Sequence, residues 1–126
     1  MGQQYLIDSN AAIDYLGDKL PLKGTIFIDA LVPVISVITR IEMLGWFEAS
    51  KEQINKLSPF IDNAFIYPLN EAVIVQTIII RQRHKIKTPD AIIAATALVH
   101  NLTLVSRNNK DFKGITGLKL IDPHSL

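Results

Sequence analysis

Short apolar segments alternate with stretches of helical pattern along the whole chain, and this alternation limits the fold more than any other feature. The segments are nearly unbroken in apolar character, as expected for parallel strands that are covered by helices on both faces. Alternating short strands and helices favour an α/β sandwich with a mainly parallel central sheet. The predicted strands are Tyr5–Ile7, Pro33–Ser36, Ala64–Leu69, Leu102–Ser106 and Leu118–Ile121.

Helical patterns fill the stretches between these strands. Gly17 is a typical helix terminator, and Thr39 and Glu42 have the spacing of a capping box. Thr88 is expected as an N-cap, with Pro89 at the first helical position. The predicted helices are Asn10–Leu16, Thr25–Leu31, Thr39–Glu48, Glu52–Ile61, Glu71–His84 and Thr88–Asn101.

Length and composition indicate one domain, residues 1–126, with one core. Apolar residues make up 48% and the mean hydropathy is +0.24, which implies a deeply buried core, a sizeable oligomer face, or both. The run Ala91–Val99 is far shorter than the roughly 20 residues of a membrane span, and the start "MGQQ" lacks signal-peptide features. Because the chain has no cysteine, disulfides and thiolate metal sites are excluded, and the cytoplasm is the expected location.

Four acids lie at strand exits or at the helix starts that follow them: Asp8, Glu42, Asp90 and Asp111. In a parallel sheet these places converge on one edge, although they are far apart in sequence. Each acid alone has an ordinary explanation: Asp8 as a helix cap, Glu42 in the capping box, Asp90 at a helix dipole and Asp111 in a turn. Their joint placement favours a functional site.

Clustered carboxylates repel one another, and a divalent cation between them would relieve that repulsion. Oxygen ligands select Mg²⁺ or Mn²⁺ rather than zinc. His84, His100 and His124 have no paired metal spacing, so we expect ordinary surface or helix-end histidines. A hard ion held by acids suits phosphoryl chemistry, in which it activates a water and stabilises the leaving oxygen.

Four stretches resemble the acidic motifs of PIN-domain nucleases, most closely the VapC-type toxins of prokaryotic toxin–antitoxin pairs. They are "YLIDSNAAIDYL", "SVITRIEML", "KTPDAIIAATAL" and "LTLVSRNNKDFKGI", and together they span nearly the whole chain in order. The third is the most specific, and the second and fourth are looser.

The resemblance implies a PIN-like three-layer sandwich and a Mg²⁺- or Mn²⁺-dependent endoribonuclease. Asp8, Glu42 and Asp90 match the family's metal-binding acids. Asp111 matches the fourth acid, with Asn108 as the alternative position. Residues that match supporting or phosphate-contacting positions, or lie beside the acids, are Asn10, Thr39, Arg40, Ser106, Arg107 and Asn108.

The resemblance also implies an RNA substrate, a cognate antitoxin and a homodimer. The segment "RQRHKIK" before Asp90 is either a solvated helix end or a phosphate-binding rim. The third and fourth predicted helices carry many apolar residues, which either pack on the sheet or form a dimer face and an antitoxin groove. Trp46 and Phe47 are expected in core or dimer packing.

Three other readings stay open. A phospho-acceptor receiver domain has a similar size and fold, but it needs an aspartate at the end of its third strand and a lysine at the end of a later one. A haloacid-dehalogenase phosphatase needs an Asp-x-Asp pair after the first strand, where this chain has Asp8-Ser9-Asn10. A catalytically silent binding module on the PIN fold is the third.

Overall fold

The protein is described by a computed structural model that covers residues 4–126. Over that range five short strands alternate with seven helices, so the predicted α/β class is confirmed. In chain order the elements are β1 (Tyr5–Ile7), α1 (Ser9–Leu16), α2 (Leu22–Asp29), β2 (Val34–Ser36), α3 (Val37–Leu44), α4 (Lys51–Asp62), β3 (Phe65–Tyr67), α5 (Glu71–Arg83), α6 (Thr88–Val99), β4 (Thr103–Val105), α7 (Asn109–Phe112) and β5 (Lys119–Ile121).

All strand pairs that the structure describes are parallel, as the apolar segments predicted. In one sheet β4 lies between β1 and β5, and in the other β2 pairs with β3. Contacts between β1 and β2 bring the two sheets side by side. The expected single sheet is therefore divided into a three-stranded and a two-stranded part. Within the described residues no helix is long and apolar enough to cross a membrane.

The core lies on both faces of the strands, because successive strand residues point to opposite sides. Leu6 and Leu104 pack with the residues of α5 and α6, whereas Ile7 and Val105 pack with α1, α3 and α4. Every residue of α6 from Ala91 to Ala97 is buried, as expected for a helix that is apolar on all sides. The strands are thus enclosed between two helical layers.

The bounds of α2 and α3 differ from the prediction. α2 begins at Leu22 rather than Thr25. α3 begins at Val37, because the Ser36 hydroxyl accepts a hydrogen bond from the Ile38 N–H (3.1 Å), and α3 ends at Gly45, well before the predicted Glu48.

The predicted capping box of Thr39 and Glu42 is therefore wrong, since Thr39 already lies inside the first turn of α3. A capping box does occur in α4, between Ser50 and Gln53. At α6 the N-cap is Lys87 and Thr88 is the first helical residue, so the predicted Thr88 cap is also wrong, although Pro89 lies in the first turn as expected.

Candidate active site

A cleft of about 480 Å³ opens beyond the carboxyl ends of β1 and β4. Three of the four predicted acids line it: Asp8 directly after β1, Glu42 on α3, and Asp90 in the first turn of α6. Asp8 and Glu42 meet here because parallel strands direct the segments that follow them to the same edge. Asp90 reaches this edge in another way: α6 leads back into the start of β4, so its first turn lies at the carboxyl end of the strands. The remaining lining residues are Ser9, Asn10, Ile13, Asp14, Lys19, Trp46 and Arg107.

Asp8 is the innermost of the acids, with 4% of its surface exposed. It is the N-cap of α1, and its Oδ1 accepts a hydrogen bond from the Ser9 N–H at 2.8 Å. Burial raises the pKa of Asp8 from 3.8 to about 6, against the lowering effect of hydrogen bonds from Ser106 and Ser9. The charges of Asp90 and Glu42 raise the pKa further, which shows that the three carboxylates interact.

Two polar side chains fix the orientation of Asp8. The Ser106 hydroxyl donates to Oδ2 of Asp8 at 2.8 Å, and the Asn10 amide donates to the same oxygen at 3.1 Å. Asn10 also contacts the Ser106 hydroxyl (3.3 Å) and accepts a hydrogen bond from the Arg107 N–H (3.2 Å). Asn10 and Ser106, both predicted as supporting residues, therefore lie directly against the buried acid.

Glu42 and Asp90 form the more accessible part of the cleft. The Glu42 carboxylate is exposed and accepts a hydrogen bond from the Ser9 hydroxyl at 2.7 Å. Partial burial raises the pKa of Asp90, the charges of Glu42 and Asp111 raise it further, and nearby Lys87 lowers it. The contact of Ser9 with Glu42 was missed in the sequence analysis, although Ser9 directly follows the first acid.

Asp111 lies at the margin of this cluster. It is exposed and does not line the cleft, yet its charge raises the pKa of Asp90. It belongs to the short helix α7 rather than to a turn, and its carboxylate accepts a hydrogen bond from the Asn108 amide at 3.1 Å. Asn108, the alternative fourth position, is thus the hydrogen-bond partner of Asp111 and the N-cap of α7.

Thr39 and Arg40, also predicted as supporting residues, differ in their placement. Thr39 is fully buried on α3, and its hydroxyl has no hydrogen-bond partner in the part of the chain that the structure describes. Arg40 is exposed and does not line the cleft.

Trp46 lines the cleft, whereas Phe47 is 98% exposed and therefore takes no part in core packing.

An ion pair that the sequence analysis missed, between the buried Asp14 and the half-exposed Arg107, lies in the lining of the cleft. Asp14 is 3% exposed, and both of its carboxylate oxygens accept hydrogen bonds from Nη1 of Arg107, at 2.9 and 2.7 Å. Nε2 of His124 lies 2.8 Å from Oδ2 of Asp14, so the expectation of an ordinary histidine is wrong at this position. The sequence signal was an acid among the apolar residues of the second half of α1. His84 and His100, in contrast, do cap the ends of α5 and α6.

The acids are close but do not form a ready-made coordination shell. Among residues 4–126, no three histidine, cysteine, aspartate or glutamate side chains are placed as they stand to hold a metal ion. The carboxylates instead point to neighbouring donors, Asp8 to Ser106 and Glu42 to Ser9. The cleft offers a cation a set of carboxylate oxygens whose neighbouring negative charges raise the pKa values of Asp8 and Asp90.

A parallel α/β fold with acids gathered beyond the strand ends defines a class of protein, and comparison with known proteins identifies it. The family model described as "PIN domain" matches residues 5–118, and the chain belongs to this family. The family that the four motifs predicted is thereby confirmed.

Three relatives illustrate the similarity. Ribonuclease VapC1 of Rickettsia felis is 37% identical over 82 residues, which is 65% of this chain and 58% of that protein. The match thus spans less than two thirds of the relative's length. A toxin–antitoxin complex from Klebsiella pneumoniae contains a chain that is 31% identical, with a TM-score of 0.78 over 98% of this chain and 100% of that one. VapBC-1 from nontypeable Haemophilus influenzae is 26% identical, with a TM-score of 0.76 over 96% and 98% of the two chains.

Proposed function

We propose that the chain is a Mg²⁺- or Mn²⁺-dependent endoribonuclease and the toxin of a VapBC-type toxin–antitoxin pair. The observation that carries the proposal is the meeting of Asp8, Glu42 and Asp90 in one cleft, where the charge of Glu42 raises the pKa values of both Asp8 and Asp90. Relatives whose names describe a ribonuclease and toxin–antitoxin complexes support the same activity. A cytoplasmic location is part of this proposal.

The donor chemistry of the cleft fits a hard divalent cation. Its acids offer oxygen ligands, and their mutual repulsion would be relieved by a positive charge between them. Glu42 is exposed, so its carboxylate can leave the Ser9 hydroxyl and turn toward Asp8 and Asp90. Bound Mg²⁺ or Mn²⁺ would supply an activated water and charge stabilisation at the scissile phosphate.

Each residue of the cleft then has a role that follows from its contacts. Asp8 would be the fixed ligand, because Ser106, Asn10 and the Ser9 N–H hold its carboxylate in one orientation. Glu42 and Asp90 would be the adjustable ligands, since both are less buried. Asp111 lies further out, where its charge favours a cation near Asp90.

RNA phosphates need cations beside this acidic centre. Lys19 and Arg107 line the cleft itself, and Lys87 lies close enough to Asp90 to lower its pKa. Arg40 lies outside the cleft lining and is therefore less suited to the scissile phosphate than Arg107. A narrow basic border of this kind suits single-stranded or looped RNA.

The alternative functions require other residues than a nuclease does. β3 ends at Tyr67 and is followed by Pro68 and Leu69, so the aspartate that a receiver domain needs at the end of its third strand is missing. A silent binding module remains the second candidate. Glu42 is exposed, and the pKa of Asp90 is raised by burial and by the charges of Glu42 and Asp111. Both observations favour a catalytic acidic centre over a binding module without activity.

A cleavage assay tests the activity directly. Purified chain with Mn²⁺ should cut a mixture of defined single-stranded RNAs at discrete positions. Asp90→Asn should lower the rate by about 100-fold, since it replaces a charged metal ligand with a neutral and weaker one. Asp62→Asn, at the exposed end of α4, is the matched control and should cleave like the wild type. Equal cleavage by the wild type and Asp90→Asn would reject this site, and RNA binding without cleavage would support the silent module.

We propose a homodimer and an antitoxin complex as the assemblies of the chain. Met43, Leu57 and Ile61 are buried, so much of the apolar surface on α3 and α4 belongs to the core. Ile41 and Phe47, in contrast, are 61% and 98% exposed and provide apolar surface beside the cleft. Light scattering should give twice the monomer mass, and Phe47→Asp should shift the mass toward the monomer if this surface is the dimer face. A monomeric wild type would reject the dimer.

The antitoxin would suppress cleavage when it is co-expressed with the chain. The expected result is a co-purified complex that is inactive on the RNAs that the free chain cuts. Free and co-purified chain with equal activity would reject this part of the proposal while leaving the nuclease assignment intact.

A further inference from the structure

The ion pair between Asp14 and Arg107 has no part in the acidic centre, yet both residues line the cleft. Asp14 is 3% exposed, whereas the Arg107 side chain is 54% exposed. A buried carboxylate therefore holds a guanidinium that stands largely in solvent. Such a pair costs desolvation of the acid, which makes it a weak source of stability.

The hydrogen bonds leave most of the guanidinium available. Nη1 of Arg107 makes both contacts with Asp14, at 2.9 and 2.7 Å, and these are the side-chain hydrogen bonds of Arg107 in the described part of the chain. An arginine has five N–H donors in a planar fork. Donors on the opposite edge remain for a planar or tetrahedral anion, and phosphate is a preferred partner of that fork.

The surroundings of Asp14 fix its carboxylate independently of Arg107. Nε2 of His124 lies 2.8 Å from Oδ2 of Asp14. The C-terminal segment that carries His124 is itself held, since the His124 N–H donates to Asp122 at 2.9 Å and Pro123 is buried. Asp14 is thus a fixed anchor at one end of the cleft.

We propose that Asp14 is a positioning residue for RNA binding, which holds the guanidinium of Arg107 at the edge of the cleft so that it receives a phosphate of the substrate. The proposal rests on the proposed nuclease function and adds a residue that the four acidic motifs do not include. Asp14 itself touches no substrate, and it acts through the arginine alone.

Simple electrostatics and the positioning role predict opposite changes in RNA affinity for one substitution, Asp14→Asn. Asp14→Asn removes a negative charge from the lining of an RNA-binding cleft, so simple electrostatics predicts tighter binding. Positioning predicts weaker binding, because Arg107 loses its charge-assisted anchor. We expect RNA affinity to fall by about tenfold, as for the loss of one charge-assisted hydrogen bond, and Asp14→Glu to restore part of it.

The experiment measures the affinity of the full chain for a fluorescent single-stranded RNA, with EDTA present so that cleavage is suppressed. Arg107→Gln should weaken binding and reduce the salt dependence of log Kd by about 0.7 per lost phosphate contact. The double variant Asp14→Asn with Arg107→Gln should bind no more weakly than Arg107→Gln alone. Val73→Ala is the structural control: Val73 is fully buried in the core on the far side of the strands from α1, so the variant should lower the melting temperature without changing RNA affinity.

The outcomes separate this proposal from the proposed function. Tighter or unchanged binding by Asp14→Asn, additive losses in the double variant, or an equal loss of affinity in Val73→Ala would overturn the positioning role. A wild type that binds RNA but does not cleave it with Mn²⁺ would overturn the nuclease function and leave the positioning role standing. A wild type that binds no RNA would overturn both.

Discussion

The hydroxyl of Ser106, at the end of β4, donates a 2.8 Å hydrogen bond to Oδ2 of Asp8, at the end of β1, across 98 positions of sequence. Both residues are buried, and their strands are adjacent and parallel, so the contact is set by the register in which Ile7 pairs with Val105. The main acid of the cleft is thereby oriented by the sheet itself.

Ser106→Ala tests the importance of this orientation. Loss of the hydroxyl should weaken Mn²⁺ affinity by about tenfold, since partners of ligating carboxylates typically contribute 10- to 100-fold. Calorimetric titration of Mn²⁺ into the wild type and the variant measures the difference. An unchanged affinity would show that Asp8 is held well enough by Asn10 and the Ser9 N–H, or that it does not bind the ion.

The raised pKa of Asp8 predicts a pH-dependent stability. Because its pKa is about 6 in the folded chain and 3.8 in the reference state, the folded chain retains a proton that the unfolded chain loses between these values. The stability that Asp8 contributes is therefore fully present below pH 3.8 and is lost as the pH rises through about 6. The loss amounts to about 3 kcal/mol relative to a residue that does not titrate.

Urea unfolding of the wild type and Asp8→Asn in EDTA, between pH 4 and pH 8, measures this loss as a difference. The free energy of unfolding of the wild type should fall relative to the variant as the pH rises. A difference that is flat over this range, or that grows in favour of the wild type, would contradict the raised pKa.

Thr39→Val tests the unpartnered hydroxyl on α3. Thr39 is fully buried and its Oγ1 has no hydrogen-bond partner among the described residues, so an apolar group of the same shape should raise the free energy of unfolding by about 1 kcal/mol. Urea denaturation measures the effect, and Thr39→Ser, which keeps the hydroxyl, is the control. A destabilised Val variant would indicate that the hydroxyl has a partner, such as a bound water.

Gly24→Ala tests the packing of the C-terminal segment on α2. A Cβ at this position would lie 2.1 Å from the carbonyl oxygen of Pro123, which is a severe overlap with backbone. We expect a loss of about 1–3 kcal/mol in the free energy of unfolding, as for other overpacked sites. Gly114→Ala, where a Cβ meets no atom within 4 Å, is the matched control and should change stability little. Equal stability of the two variants would show that the C-terminal segment moves aside at no cost.

The sequence determined the fold class and the edge at which the acids lie. Unbroken apolar segments such as Leu102–Ser106 predicted parallel strands, and their carboxyl ends predicted where Asp8 and Glu42 would be found, because both acids come soon after a strand and strand direction fixes that edge. Helix starts were harder to predict: Ser36, and not Thr39, is the N-cap of α3, because β2 ends at Ser36 and its pairing with β3 fixes that position.

Only the tertiary structure decided the contacts between segments that are far apart in sequence. Neither the hydrogen bond of Ser9 to Glu42 nor the joining of Asp14, Arg107 and His124 leaves a local pattern. A local sequence pattern shows which face of a single helix or strand packs against the core. Pairs such as Asp14 and His124 depend instead on how the packed elements place two side chains, and distances of that kind are set by the assembled fold.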